Sequence, residues 1–119
     1  MTDETRDLLE AAGVHVASVM ERFMNNDALL ERFMRKFKDD PNYKELLDAV
    51  EKKDTERAFA ASHTLKGVSG NLSLIDLQNK VSEQCELFRA GDMAAGAAMM
   101  DSVTAEYERI VSALDKVFP

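Results

Sequence analysis

The sequence of 119 residues contains one cysteine, no tryptophan, two prolines and five glycines. A lone cysteine, Cys85, cannot form a disulfide within the chain. The glycines and prolines also stand singly, whereas an all-β chain needs clusters of turn residues roughly every eight to twelve positions. This scarcity of turn residues predicts an all-α fold.

Basic residues are scarce as well, with 15 Lys and Arg against 22 Asp and Glu and a formal net charge of -7. A protein that binds nucleic acid or anionic lipid needs a net basic surface, so we expect neither partner. The opening residues, MTDETRDLLE, lack the apolar core of a signal peptide, and no apolar run approaches the ~18 residues of a membrane span. We therefore expect a cytoplasmic protein.

Apolar residues recur at helical spacing along most of the chain. Helices are predicted at about 3–12, 14–24, 27–38, 55–71 and 92–118, with one more beginning at Asp40-Pro41 and another ending at Gly91. Short connections between such helices favour antiparallel neighbours. We expect a single domain over 1–119: an antiparallel four-helix bundle, with its core at about 27–118 and one or two shorter N-terminal helices packed on it.

The predicted helix over 55–71 carries the candidate site. If Leu65 is central to its buried stripe, His63 lies about 200° around the helix and points away from the core. Four residues share this outward face because they stand one or two turns from the histidine: Phe59, Lys66, Gly67 and Gly70.

The two glycines of this face are unfavourable inside a helix, each by about 1 kcal/mol relative to alanine. Their presence indicates that a partner's backbone or a bulky group approaches His63 closely. The alternative is that Gly67 ends the helix and leaves His63 an ordinary surface histidine. We favour the continuous helix because Val68 and Leu72 continue the apolar period beyond Gly67.

The chemistry of this face suits an anion rather than a metal, because the cation of Lys66 would repel a metal ion. A neutral imidazole is a competent nitrogen nucleophile near pH 7 and needs no separate base. A phosphoryl group on it adds close to two negative charges, and Lys66 could offset part of that charge. His63 is therefore a candidate phosphoacceptor.

The segment from His63 to Leu72, HTLKGVSGNL, resembles the H-x-x-K-G-x-x-G-N-L signature of histidine phosphotransfer (HPt) domains of bacterial phosphorelays. The likeness runs from about Leu8 to the C-terminus. It implies that His63 accepts a phosphoryl group from the phospho-aspartate of a receiver domain and passes it to another receiver. It also implies that Lys66 steadies the phosphoryl oxygens and that Gly67 and Gly70 admit the receiver's loops.

The resemblance implies partners and cofactors too. The partners would be response-regulator receiver domains, with a hybrid sensor kinase as a further candidate, and we expect the protein itself to be a monomer. The Mg²⁺ for in-line transfer would be held by the receiver's carboxylates, so the chain would need no metal or other cofactor. No glycine-rich phosphate loop or kinase signature is present, which predicts a phosphocarrier rather than a kinase.

One position departs from the family's pattern. HPt domains commonly carry Gln or Glu 22 residues after the histidine, where the side chain orients the imidazole, and this position is Cys85 here. Because a thiol is a weak hydrogen-bond partner, either a one-residue shift brings Gln84 or Glu86 into range or water orients the ring. The same departure supports an alternative function, a non-catalytic helical adaptor or dimerisation bundle that docks receivers without phosphotransfer.

A basic run offers a candidate docking surface. Four basic residues, Arg32, Arg35, Lys36 and Lys38, fall within seven positions with no acid among them. Such a run is usually only a solvated face. If its helix packs beside the histidine helix, however, it would attract an acidic partner, and Phe59 with Met34 or Phe37 would supply the apolar centre of a transient interface.

Overall fold

The computed structural model describes residues Met1–Pro119 and confirms the all-α prediction. The eight helices are α1 (Asp3–Ala11), α2 (Val16–Arg22), α3 (Asp27–Lys38), α4 (Asn42–Glu51), α5 (Thr55–Asn71), α6 (Ile75–Arg89), α7 (Met93–Ala98) and α8 (Met100–Val117). None of them is both long and apolar enough to cross a membrane.

The bundle is formed by α4, α5, α6 and α8. Helix α5 packs between α4 and α6, and α8 contacts both α4 and α6. The N-terminal helices α1 and α3 lie against α8, while α2 contacts α1 and α3. Buried apolar side chains from every helix except α7 form one continuous cluster, so the three N-terminal helices share the core of the bundle.

Side-chain caps fix where several helices begin. Four N-cap side chains each accept a hydrogen bond from the backbone N–H three residues further on: Thr2, Asn26, Asp54 and Asp92. Asp54 is the cap of α5, with its Oδ1 atom 3.1 Å from the Arg57 nitrogen. This cap determines where the helix that carries His63 starts.

Two predicted helices differ from the structure. The helix predicted over 92–118 is divided at Met99, and α7 packs on α6 because Gly96 leaves room for the ring of Phe88. The helix predicted over 14–24 is shorter at both ends: Val14 pairs with Leu74 in an isolated antiparallel bridge, and beyond Arg22 the chain leaves the helix, with Met24 at a φ of 53°. The His15 N–H donates to the Ser73 carbonyl at 2.8 Å in the same connection.

Candidate functional site

Helix α5 continues without interruption from Thr55 to Asn71, through both of its glycines. The alternative in which Gly67 ends the helix is therefore wrong. Its buried face includes Ala58, Ala61 and Leu65, and His63 is exposed as the helical spacing predicts.

The surroundings of the His63 imidazole are aromatic. The ring centroids of His63 and Phe59 are 5.8 Å apart with an interplanar angle of 42°. The neighbouring hydroxyls of Ser62 and Thr64 donate to main-chain carbonyls of their own helix, whereas the imidazole makes no hydrogen bond within the chain. Both ring nitrogens are thus free to meet a partner.

The two glycines of the motif lie in different surroundings. A Cβ atom added at Gly67 would meet nothing within 4 Å, so the space beside this residue is open. A Cβ atom added at Gly70 would lie 2.7 Å from the Nε2 atom of Gln78, a residue of α6. The expectation that both glycines leave room for a partner thus needs correction at Gly70, where the chain's own Gln78 occupies the space.

Lys66 lies one turn beyond His63 on the same side of α5. It is partly exposed, and none of the ion pairs of the chain includes it. Its ammonium group is therefore available to an anion bound at His63.

The register of α5 and α6 places the residues proposed to orient the ring. Phe59 lies under the Arg89 guanidinium and Gly70 lies against Gln78, so the two helices are antiparallel. Cys85 is four residues before Arg89 and seven after Gln78, just as His63 is four after Phe59 and seven before Gly70. Cys85 therefore stands level with His63, and it is completely buried.

The structure does not bring Gln84 or Glu86 to the ring. Gln84 is completely buried, and its Nε2 atom donates to the Gly96 carbonyl at 3.0 Å. The Glu86 carboxylate is exposed and accepts from the Nε atom of Arg89 at 3.2 Å. A one-residue shift in favour of either side chain is thus wrong, and none of the three candidates hydrogen-bonds to the imidazole.

The candidate docking residues on α3 are placed differently from the expectation. Met34 and Phe37 are 0% and 2% exposed, because α3 turns this face toward the core and α8. They cannot supply a surface contact, so this part of the prediction is wrong. Arg35 donates to the Phe118 and Pro119 carbonyls at 3.2 and 3.1 Å, which ties its guanidinium to the C-terminus.

Two exposed residues, Phe33 and Arg89, were not predicted from the sequence. Phe33 is 37% exposed, and the cationic groups of Arg32 and Lys36 each lie 5.7 Å from its ring centroid. Arg89 lies over the Phe59 ring at 4.9 Å. Phe33 belongs to the broad apolar stripe of α3, and only the packing of the helix shows that it stays partly exposed. Arg89 needed the register of α6.

A groove runs between α3 and the C-terminal turns of α5. It has a volume of about 620 Å³, and its walls include Phe23, Phe33, Val68 and Leu72. Because α5 rises about 1.5 Å per residue, Val68 lies roughly 7.5 Å along the helix axis from His63. Because five residues also turn the helix by about 500°, Val68 points about 140° away from His63, so the groove lies on a different side of α5 from the imidazole.

The family assignment rests on residues 3–113, which match the family model of the Hpt domain. The chain belongs to the Hpt domain family. Hpt domains are phosphocarriers of phosphorelays, not kinases, and they interact with receiver domains and kinases. Comparison with curated proteins and with solved structures gives no significant match.

Proposed function

We propose that the protein is a phosphorelay intermediate in which His63 accepts a phosphoryl group from a receiver-domain aspartate and passes it to another response regulator. The observation that carries this proposal is the exposed imidazole on the outward face of α5, beside the open space at Gly67. A partner can approach α5 closely there, because no other side chain lies within 4 Å of the position that a Cβ atom of residue 67 would take.

The transfer needs little from this chain beyond a well-placed nucleophile. The lone pair of the unprotonated ring nitrogen attacks phosphorus, and the N–P bond forms as the P–O bond to the aspartate breaks. The aspartate leaves as a carboxylate with the bonding electron pair, while the other ring nitrogen keeps its proton. No general base is therefore required. Passing the group to the next receiver reverses these bond changes.

The charge of Lys66 also favours a phosphoryl group at His63. Lys66, which has no internal partner, would neutralise part of the charge that builds up on the phosphoryl oxygens. The Mg²⁺ ion is expected on the receiver's carboxylates. The unpaired ammonium of Lys66 on a chain of net charge -7 would attract such an acidic pocket, while most of the surface would repel it.

A labelled-transfer experiment tests the proposal. The protein is incubated with an isotopically phosphorylated receiver domain, and we expect an acid-labile label on the wild type and none on His63→Gln. His15→Gln is the matched control, because His15 is the other histidine, is also exposed and makes no side-chain cap to α2. Equal labelling of wild type and His63→Gln would refute His63 as the acceptor.

The adaptor function remains the second candidate because Cys85 is buried and gives the imidazole no hydrogen bond. It makes a different prediction in the same experiment. An adaptor would bind receivers with unchanged affinity in His63→Gln and would take no label from any of a panel of phosphorylated receivers.

A further inference from the structure

The His63 ring lacks the polar neighbour that would fix its orientation. Cys85 stands level with the imidazole, and no hydrogen bond from α6 reaches it. An exposed imidazole that rotates freely presents its nitrogen to a docked aspartyl phosphate only part of the time, and in-line transfer is sensitive to such misplacement. Another group must restrict the ring if transfer is to be efficient.

Phe59 is the side chain placed to do so. It lies four residues before His63 on the same face of α5, and the 5.8 Å separation of the two rings is in the range of a direct aromatic contact. A flat, partly buried ring beside the imidazole narrows the rotations open to it.

Arg89 of α6 in turn contacts the Phe59 ring. Its guanidinium carbon lies 4.9 Å from the Phe59 centroid, within the distance of a cation–π interaction, and its Nε atom pairs with Glu86 at 3.2 Å. These contacts link Glu86, Arg89, Phe59 and His63 across α5 and α6. The linked group ends at the phosphoacceptor candidate.

We propose that Phe59 and Arg89 are positioning residues for His63: Arg89 fixes the Phe59 ring, and the Phe59 ring orients the imidazole in place of a hydrogen bond. The proposal rests on His63 being the phosphoacceptor and specifies how its ring is held. If Arg89 instead contacted the partner directly, its effect on transfer would not depend on Phe59.

Nuclear magnetic resonance of the His63 ring tests the positioning without any partner. We expect the three-bond Hα–Hβ couplings of His63 to report one dominant χ1 rotamer in the wild type and averaged rotamers in Phe59→Leu, partly averaged rotamers in Arg89→Met, and wild-type values in Arg89→Lys. Phe33→Leu is the matched control, since Phe33 is also a partly exposed ring with nearby cations, and it should leave these couplings unchanged. Unchanged His63 couplings in Phe59→Leu would overturn the proposal.

Transfer kinetics test the consequence for function. Phe59→Leu should slow transfer from a phosphorylated receiver about three- to tenfold, and the double variant with Arg89→Met should be no slower, because the two act through one another. Phosphorylation by phosphoramidate, a small donor that imposes no docking geometry, should change less than about twofold. Additive effects, or equal slowing with both donors, would contradict positioning. Failure of every receiver to label the wild type would contradict the proposed function instead, while the His63 couplings would still decide how the ring is held.

Discussion

The two halves of the segment His63–Leu72 differ in their surroundings although they lie on one helix. In the first half, His63 and Gly67 are exposed and Lys66 has no ion-pair partner. In the second half, Ser69 and Leu72 are buried, and the Ser69 hydroxyl donates to the Leu65 carbonyl at 2.8 Å. Leu65 in the first half is buried too, and Asn71 in the second half is exposed. The outward side of the first half is therefore arranged for an external partner, whereas the second half serves mainly packing.

The glycines show this difference most clearly, because the same residue type serves two purposes. At Gly70 the missing side chain makes room for Gln78, so it allows α6 to lie close to α5. At Gly67 the missing side chain leaves a space that nothing in the chain uses. A glycine retained inside a helix without any internal neighbour is the feature that indicates a partner.

Gly67→Gln should have the largest effect on transfer. The added side chain fills the open space beside His63, so we expect the initial rate of transfer from a phosphorylated receiver to fall about ten- to a hundredfold. The helix should be stabilised by up to about 1 kcal/mol, measured by urea unfolding, because glycine is the poorer helix former.

The matched control for this variant is Ala94→Gln, which adds a similar side chain at an exposed position of α7. It should transfer at the wild-type rate. Unimpaired transfer in Gly67→Gln would show that the open space is not part of the partner's approach, and the contrast between the two halves would lose its functional meaning.

The sequence predicts the position of His63 better than it predicts which residues of other helices pack around the site, and the reason is physical. The outward position of His63 follows from helical spacing, which involves only residues a few positions apart. The filling of the space at Gly70 depends on which residue of α6 reaches it, and that depends on how two helices align. Local periodicity does not contain this information, so the role of Gln78 could not be predicted.

The wrong prediction of surface contacts on α3 has the same cause, since spacing along one helix does not show how that helix packs on others. Its apolar residues cover a broad stripe, so spacing alone leaves open whether Met34 and Phe37 or their neighbour Phe33 face outward. Packing against α8 decides it and buries the first two. A count of basic residues likewise cannot show that the C-terminus of the chain accepts hydrogen bonds from Arg35.

Lys66→Ala should have an intermediate effect. We expect transfer from a receiver to slow about three- to tenfold, because one charge-assisted contact to the phosphoryl group is lost. The free energy of unfolding should change by less than about 0.5 kcal/mol, since Lys66 has no ion pair to lose. Added salt should slow the wild type more than the variant.

Lys44→Ala is the control for the charge change, because Lys44 is an exposed lysine of α4 without an ion pair. It should leave the transfer rate unchanged. If Lys66→Ala fails to fold, the lysine is needed for packing. The part of the segment that serves packing would then reach further toward His63.

The smallest effects are expected from alanine at the two glycines, and they compare the halves directly. Gly67→Ala should raise the free energy of unfolding by about 1 kcal/mol, since the new methyl group meets no neighbour. Gly70→Ala gains the same helix propensity but must displace the Gln78 amide, so its net stabilisation should be smaller, and Gly70→Ala with Gln78→Ala should recover part of the difference. Urea unfolding of the variants measures these values, and transfer by Gly70→Ala should stay within about twofold of wild type. If the two single variants are stabilised equally, the Gln78 side chain moves aside without a loss of free energy. A severe loss of transfer in Gly70→Ala would instead show that the partner contacts Gly70.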